Sequence, residues 1–145
     1  MLKPLKREAR APRPLKRGSR KGNKTSKRRK SRLALRRECD KRFAVAVKAR
    51  DGWQCRACGR GQNQGQIQCA HICSRRYHAT RWMMGNAMAL CSGCHVRFTN
   101  DPIAWDDFVI ERIGEAGYME LRRLARQGVA HIDYAAVLAT LPPVV

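Results

Sequence analysis

Acidic residues are scarce in this chain: 11 Asp and Glu stand against 31 Lys and Arg in 145 residues, a net charge of +20. That imbalance argues against a cationic partner and for a polyanion. Long apolar runs are missing too. None approaches the roughly 20 residues of a membrane span, and the first residues hold no apolar signal-peptide core. The expectation is a cytoplasmic protein, neither secreted nor inserted in a membrane. Aromatics are few, three each of Trp, Tyr and Phe, so apolar burial alone gives a small core. Cysteine is the exception. There are seven, and an odd count in paired spacing suits metal binding in a reducing compartment better than a disulfide scaffold.

The charge is unevenly shared. Residues 1–50 hold 21 of the 31 basic side chains and three acids, whereas the remainder is nearly balanced. Residues 1–31 carry 14 Lys and Arg, Pro4, the run Pro12-Arg13-Pro14, and scattered Gly and Ser. Such a segment cannot bury enough apolar surface to offset chain ordering, so it reads as a disordered basic arm. Its run Lys27-Arg28-Arg29-Lys30 is the densest candidate for DNA phosphates.

A folded domain is expected over 32–145. Leu35, Cys39, Phe43 and Val47 recur every four residues, one apolar face of a helix over 32–50 that ends before Asp51-Gly52. Cys39 on that stripe reads as core. Residues 66–72 alternate like a half-buried strand. A basic loop follows, with Arg75, Arg76 and Arg81 as candidate phosphate contacts. Asn100-Asp101-Pro102 opens a helix, with a buried stripe of Ile103, Trp105, Phe108, Val109 and Ile113 that Gly114 or Gly117 stops. Further helices are expected over 118–127 and 132–141.

The chain is organised around Cys55-Arg56-Ala57-Cys58 and Cys91-Ser92-Gly93-Cys94-His95. Two residues between cysteines let one tight turn present both sulfurs at tetrahedral angles, so Cys55, Cys58, Cys91 and Cys94 read as ligands of a structural zinc. Such an ion supplies about 10–16 kcal/mol of apparent binding energy to a small fold. Between the pairs lie His71 on the strand and Asn86 before the second pair. A hairpin followed by a helix can aim a strand His and a helix His at one phosphate. His71 then fits a general base, His95 a ligand for a catalytic Mg²⁺ or other divalent cation, and Asn86 a group that holds the loop or orients His71. Other readings of these residues are a non-catalytic zinc finger that grips DNA, a second zinc on Cys69, His71 and Cys73, and a c-type haem at Cys91-x-x-Cys94-His95.

Residues 55–100 resemble the HNH endonuclease family in its zinc-knuckle branch, through the strand His71, Asn86 and the His95 that follows the last Cys. The resemblance implies an α+β fold: a small zinc-stapled ββα-metal finger, here over 53–100, flanked by helices over 32–50 and 101–141. Ala70-His71-Ile72, Ser74-Arg75-Arg76, Thr80-Arg81-Trp82 and Arg112-Ile113-Gly114-Glu115 are similar to the NinG (Rap-type) recombination proteins of lambda-like phages. That likeness implies metal-dependent hydrolysis of DNA phosphodiesters, on branched recombination intermediates, in the host-cell cytoplasm if the chain is phage-encoded. A homodimer is open as the form that cuts two strands. Two positions depart from the pattern: Ala70 stands where many HNH enzymes have a metal ligand, and His95 where NinG-like proteins tend to have Asn.

Overall fold

The structure is a computed structural model that describes residues 24–143, with side chains from Ser31 onward. Most of the basic arm therefore lies outside the described residues, as do the side chains of Lys27, Arg28, Arg29 and Lys30. The described residues form an α+β unit of four helices and one two-stranded sheet: α1 (Lys24–Arg50), β1 (Ile67–His71), β2 (Ala87–Cys91), α2 (Ser92–Asn100), α3 (Pro102–Ala125) and α4 (Tyr134–Thr140). None of these helices is long and apolar enough to cross a membrane.

The helix expected to begin near Arg32 begins at Lys24 instead, inside the segment read as arm. Lys and Arg are good helix formers, and Gly22 is the last breaker before this stretch. A helix nucleated on the core therefore propagates backward through them. Cys39, Phe43 and Val47 are fully buried as expected, but Leu35 and Leu33 are exposed. The core cluster on α1 begins only at Cys39, where Ala87, Leu141 and the flanking Trp82 and Tyr134 meet the helix.

β1 and β2 pair antiparallel, with Ile67 opposite Cys91 and His71 opposite Ala87. Helices cover both faces of this hairpin. Ala87 and Cys69 pack toward α1 and α4, while Ala70, Met88 and Leu90 pack toward Phe98 of α2 and Val109 and Tyr118 of α3. Every residue of β2 is consequently buried, which explains its unbroken Ala-Met-Ala-Leu-Cys sequence. The end of α1 is fastened to the hairpin. Asp51 accepts the Ala89 N–H at 2.7 Å, and Arg50 donates to the Met84 and Ala87 carbonyls at 2.6 and 2.8 Å.

Asp101 caps α3 by accepting the Ala104 N–H at 3.0 Å. Gly114 interrupts the helix as expected, with φ 74° and ψ 157°, but the chain re-enters helix at once, so the two expected helices form one kinked element. The expected stripe is corrected at its ends: Ile103 is 77 % exposed and Ile113 is exposed, whereas Trp105, Phe108 and Val109 face the core. Ile103 lies in the first turn, before α3 reaches the hairpin. Beyond the kink, Tyr118, Leu121 and Ala125 are buried, the last two against Cys73, Ile72 and Tyr77 of the loop after β1.

Candidate metal centre and histidine cleft

The four cysteines of the two C-x-x-C pairs meet in space, with all ligand sulfurs within 4.8 Å of one another. Local turns prepare this. In the first knuckle the Cys55 N–H donates to the Arg60 carbonyl and the Gly59 N–H to that of Cys55, both at 2.8 Å, with Gly59 at φ 75°. Cys91 ends β2 and caps α2, its sulfur accepting the Cys94 N–H at 3.5 Å. The Cys58 and Cys91 sulfurs lie 3.7 Å apart. A tetrahedral ion with metal–sulfur bonds of about 2.3 Å sets its ligands roughly 3.8 Å apart, so the quartet fits zinc.

The electrostatics fit as well. Burial raises the Cys55 pKa, but the backbone N–H groups of Cys91, Cys58 and Ala57 outweigh it and bring the thiol to about 7. Burial and then the neighbouring Cys91, Cys58 and Cys55 sulfurs raise Cys94 strongly. Four sulfurs that resist sharing negative charge are what a divalent cation relieves. The other cysteines behave as core. Cys39 donates to the Tyr134 carbonyl, Cys73 packs against Leu121 and Ala125, and burial pushes Cys69 up to about 11. Cys73 thus sits apart from Cys69 and His71. Among the described residues, the C-x-x-C quartet is the one gathering of three or more His, Cys, Asp or Glu ligand atoms.

His71 and His95 line one cleft of about 130 Å³, with Ala70, Leu90, Thr99 and Trp105 around them. That is room for a phosphate and water, below the roughly 300 Å³ of a small-molecule pocket. His71 stands at the end of β1, its ring 5.3 Å from that of Phe43. Its Nε2 lies 3.0 Å from the Arg81 carbonyl. A carbonyl only accepts, so Nε2 carries the proton and Nδ1 keeps its lone pair. Burial lowers the His71 pKa, Arg75 and Arg81 adding to the effect and the Arg81 carbonyl and Asp40 opposing it. The ring is therefore neutral at pH 7. His95 Nδ1 is 2.6 Å from Gln68 Oε1, which by the same argument leaves Nε2 as the basic nitrogen.

Asn86 is fully buried, and its side chain makes no hydrogen bond to His71. Its Oδ1 accepts the Cys73 N–H at 2.7 Å, and its Nδ2 donates to the Cys73 and Thr80 carbonyls at 3.0 and 2.9 Å. It clamps the two ends of the 73–80 loop, next to the carbonyl that orients His71. Of the two roles expected for Asn86, the structure assigns the loop-holding one.

The three loop arginines separate. Arg75 and Arg76 are exposed, as phosphate contacts require. Arg81 is corrected: it is 9 % exposed, donates to Asp40 at 2.9 and 2.7 Å and to the Arg75 carbonyl at 2.6 Å, and so has no fork left for a phosphate. Trp82 Nε1 completes the Asp40 shell at 3.0 Å. Asp40 and Gln68 escaped the sequence reading. Strand alternation places Gln68 with Ala70 on the α2 face, a signal that was present, whereas nothing local ties Asp40 to Arg81.

Set beside protein-family profiles, curated proteins and solved structures, the chain matches none of them.

Proposed function

We propose that this chain is an HNH-type, metal-dependent DNA endonuclease. The observation that carries the reading is His71: its Nε2 proton is held by the Arg81 carbonyl at 3.0 Å, and the residue borders the same cleft as His95. A scissile phosphate seated there meets a neutral imidazole. His71 Nδ1 takes a proton from water as the water oxygen bonds to phosphorus, and the bond from phosphorus to the departing sugar oxygen breaks. Asn86, Asp40 and the Arg81 backbone keep the base in one tautomer. Arg75 and Arg76, exposed on the loop after β1, serve as phosphate contacts, and the 14 basic residues within 1–31 add non-specific affinity.

A divalent ion such as Mg²⁺ would stabilise charge on the phosphate and on the departing oxygen. His95 would hold it. The cleft fits that ion incompletely, because Ala70 offers no ligand, and this favours an ion that accepts nitrogen and is completed by substrate oxygens and water. The same shortage supports a second reading, a zinc finger that grips DNA without cutting it. Branched recombination intermediates are the substrate that the family resemblance suggests, and a homodimer would cut two strands.

Cleavage of linear and branched DNA with Mg²⁺, Mn²⁺ or no added ion decides between them. His71→Ala is expected to lose about 10² to 10⁴ in rate, the share of a general base. DNA affinity and zinc content should stay unchanged. A wild-type protein that cuts no DNA with any divalent ion leaves the binding module standing.

A further inference from the structure

The arginines of the folded core divide by partner. Arg42, Arg50, Arg81 and Arg123 each face a carboxylate, on Glu38, Asp51, Asp40 and Glu120 respectively. Arg76, Arg122 and Arg126 have no such bridge among the described residues, and all three line one cleft of about 300 Å³ between the loop after β1 and the second half of α3. Two of them are fixed by phenols. Arg76 Nη2 donates to the Tyr77 hydroxyl at 3.2 Å, with its guanidinium 5.0 Å from that ring's centre. Arg122 Nη1 donates to the Tyr118 hydroxyl at 2.9 Å, with its guanidinium 5.3 Å from that ring. A neutral phenol takes one N–H and leaves both the charge and the other donors of the fork in place. Asp106 is the one acid on the cleft wall, so three cations outweigh it.

The kink at Gly114 is what brings α3 here, since it turns the helix so that Leu121 and Ala125 seat on the loop. The same loop is clamped by Asn86 and leads to the carbonyl that holds His71. We propose that this cleft binds a backbone phosphate of DNA away from the scissile position, with Arg76, Arg122 and Arg126 as its ligands. The choice of DNA over another polyanion rests on the nuclease reading, because the cleft shares its loop with the histidine site. The cation-bearing end of α3 is also where the helix dipole favours arginine, so the charges gather there at little cost.

The test uses the full chain, with binding to fluorescent duplex DNA followed against salt and no divalent ion added. Each phosphate contact contributes about −0.9 to the slope of log affinity against log salt. The double variant Arg122→Gln/Arg126→Gln is expected to lose that phosphate, flattening the slope by roughly 0.9 and weakening binding about 10-fold at 0.1 M salt. Arg123→Gln, which removes a charge already bridged to Glu120, is expected to leave the slope unchanged. Should the double variant fold poorly, Arg126→Gln alone is expected to flatten the slope by part of that amount, about 0.3 to 0.5. An unchanged slope in the folded variants overturns the proposal, as does an equal effect of Arg123→Gln. A loss confined to phosphatidylserine vesicles, with DNA binding intact, overturns it in favour of a membrane surface. Cleavage measured separately keeps the two readings apart. A protein that cuts DNA while the slope holds loses this cleft alone, and one that never cuts while the slope falls loses the nuclease reading alone.

Discussion

Replacing Asn86 separates its role as a clamp from any role in the chemistry. Asn86→Ala strands three buried partners: the Cys73 N–H, the Cys73 carbonyl and the Thr80 carbonyl. Each unsatisfied group costs about 1–3 kcal/mol. Water entering the space offsets part of this, so the expected loss is about 3 kcal/mol, out of the roughly 5–15 kcal/mol that holds a domain. With a urea slope near 2 kcal/mol per molar, the unfolding midpoint should drop by about 1.5 M. Zinc content should hold under native conditions, because the quartet lies at the other end of the hairpin. Asn86→Asp makes the sharper test. Its carboxylate can still accept the Cys73 N–H, but it sets a negative charge against two carbonyls in a buried site, which raises its pKa in the fold above the unfolded value of about 3.9. Its stability is therefore greatest at low pH and is lost as pH rises through the raised folded value. As pH rises from about 4, Asn86→Asp should lose stability relative to Asn86→Ala until the buried carboxyl has ionised. Urea midpoints that are unchanged in Asn86→Ala, or a pH-independent Asn86→Asp, would refute the clamp.

Elemental analysis should find one zinc per chain, and Cys58→Ser or Cys91→Ser should unfold the domain by circular dichroism; two zincs would return Cys69, His71 and Cys73 as ligands. The cleavage rate should be constant near neutral pH and fall on acidification with a midpoint below the ordinary imidazole value of 6.5, because burial lowers the His71 pKa and only the neutral ring takes a proton; an acid limb above 6.5 would point to another base. Deleting residues 1–23 removes nine basic side chains, and if about half touch phosphate at once the salt slope should flatten by roughly 4 with the core still folded; an unchanged slope would reduce the arm to a solubilising tail.

The cysteine quartet was legible because C-x-x-C spacing is a local constraint that lets one tight turn present two sulfurs together. The hairpin, the capped start of α3 and the Cys39, Phe43 and Val47 stripe were legible for a similar reason, each being written within a few residues. The histidine positions could be named from the sequence, but their states could not. Which nitrogen of His71 holds the proton depends on the Arg81 carbonyl ten residues on, and the loop that brings it there closes only through Asn86. Arg81 shows the limit most plainly. In sequence it is one more cation in a basic loop, indistinguishable from Arg75 and Arg76. Asp40, 41 residues away on α1, removes it from the surface, and only the packing of α1 against the hairpin sets that pair together. Spacing determined where metal and base could stand. Long-range packing decided which charges are paired inside the fold and which are left exposed to solvent.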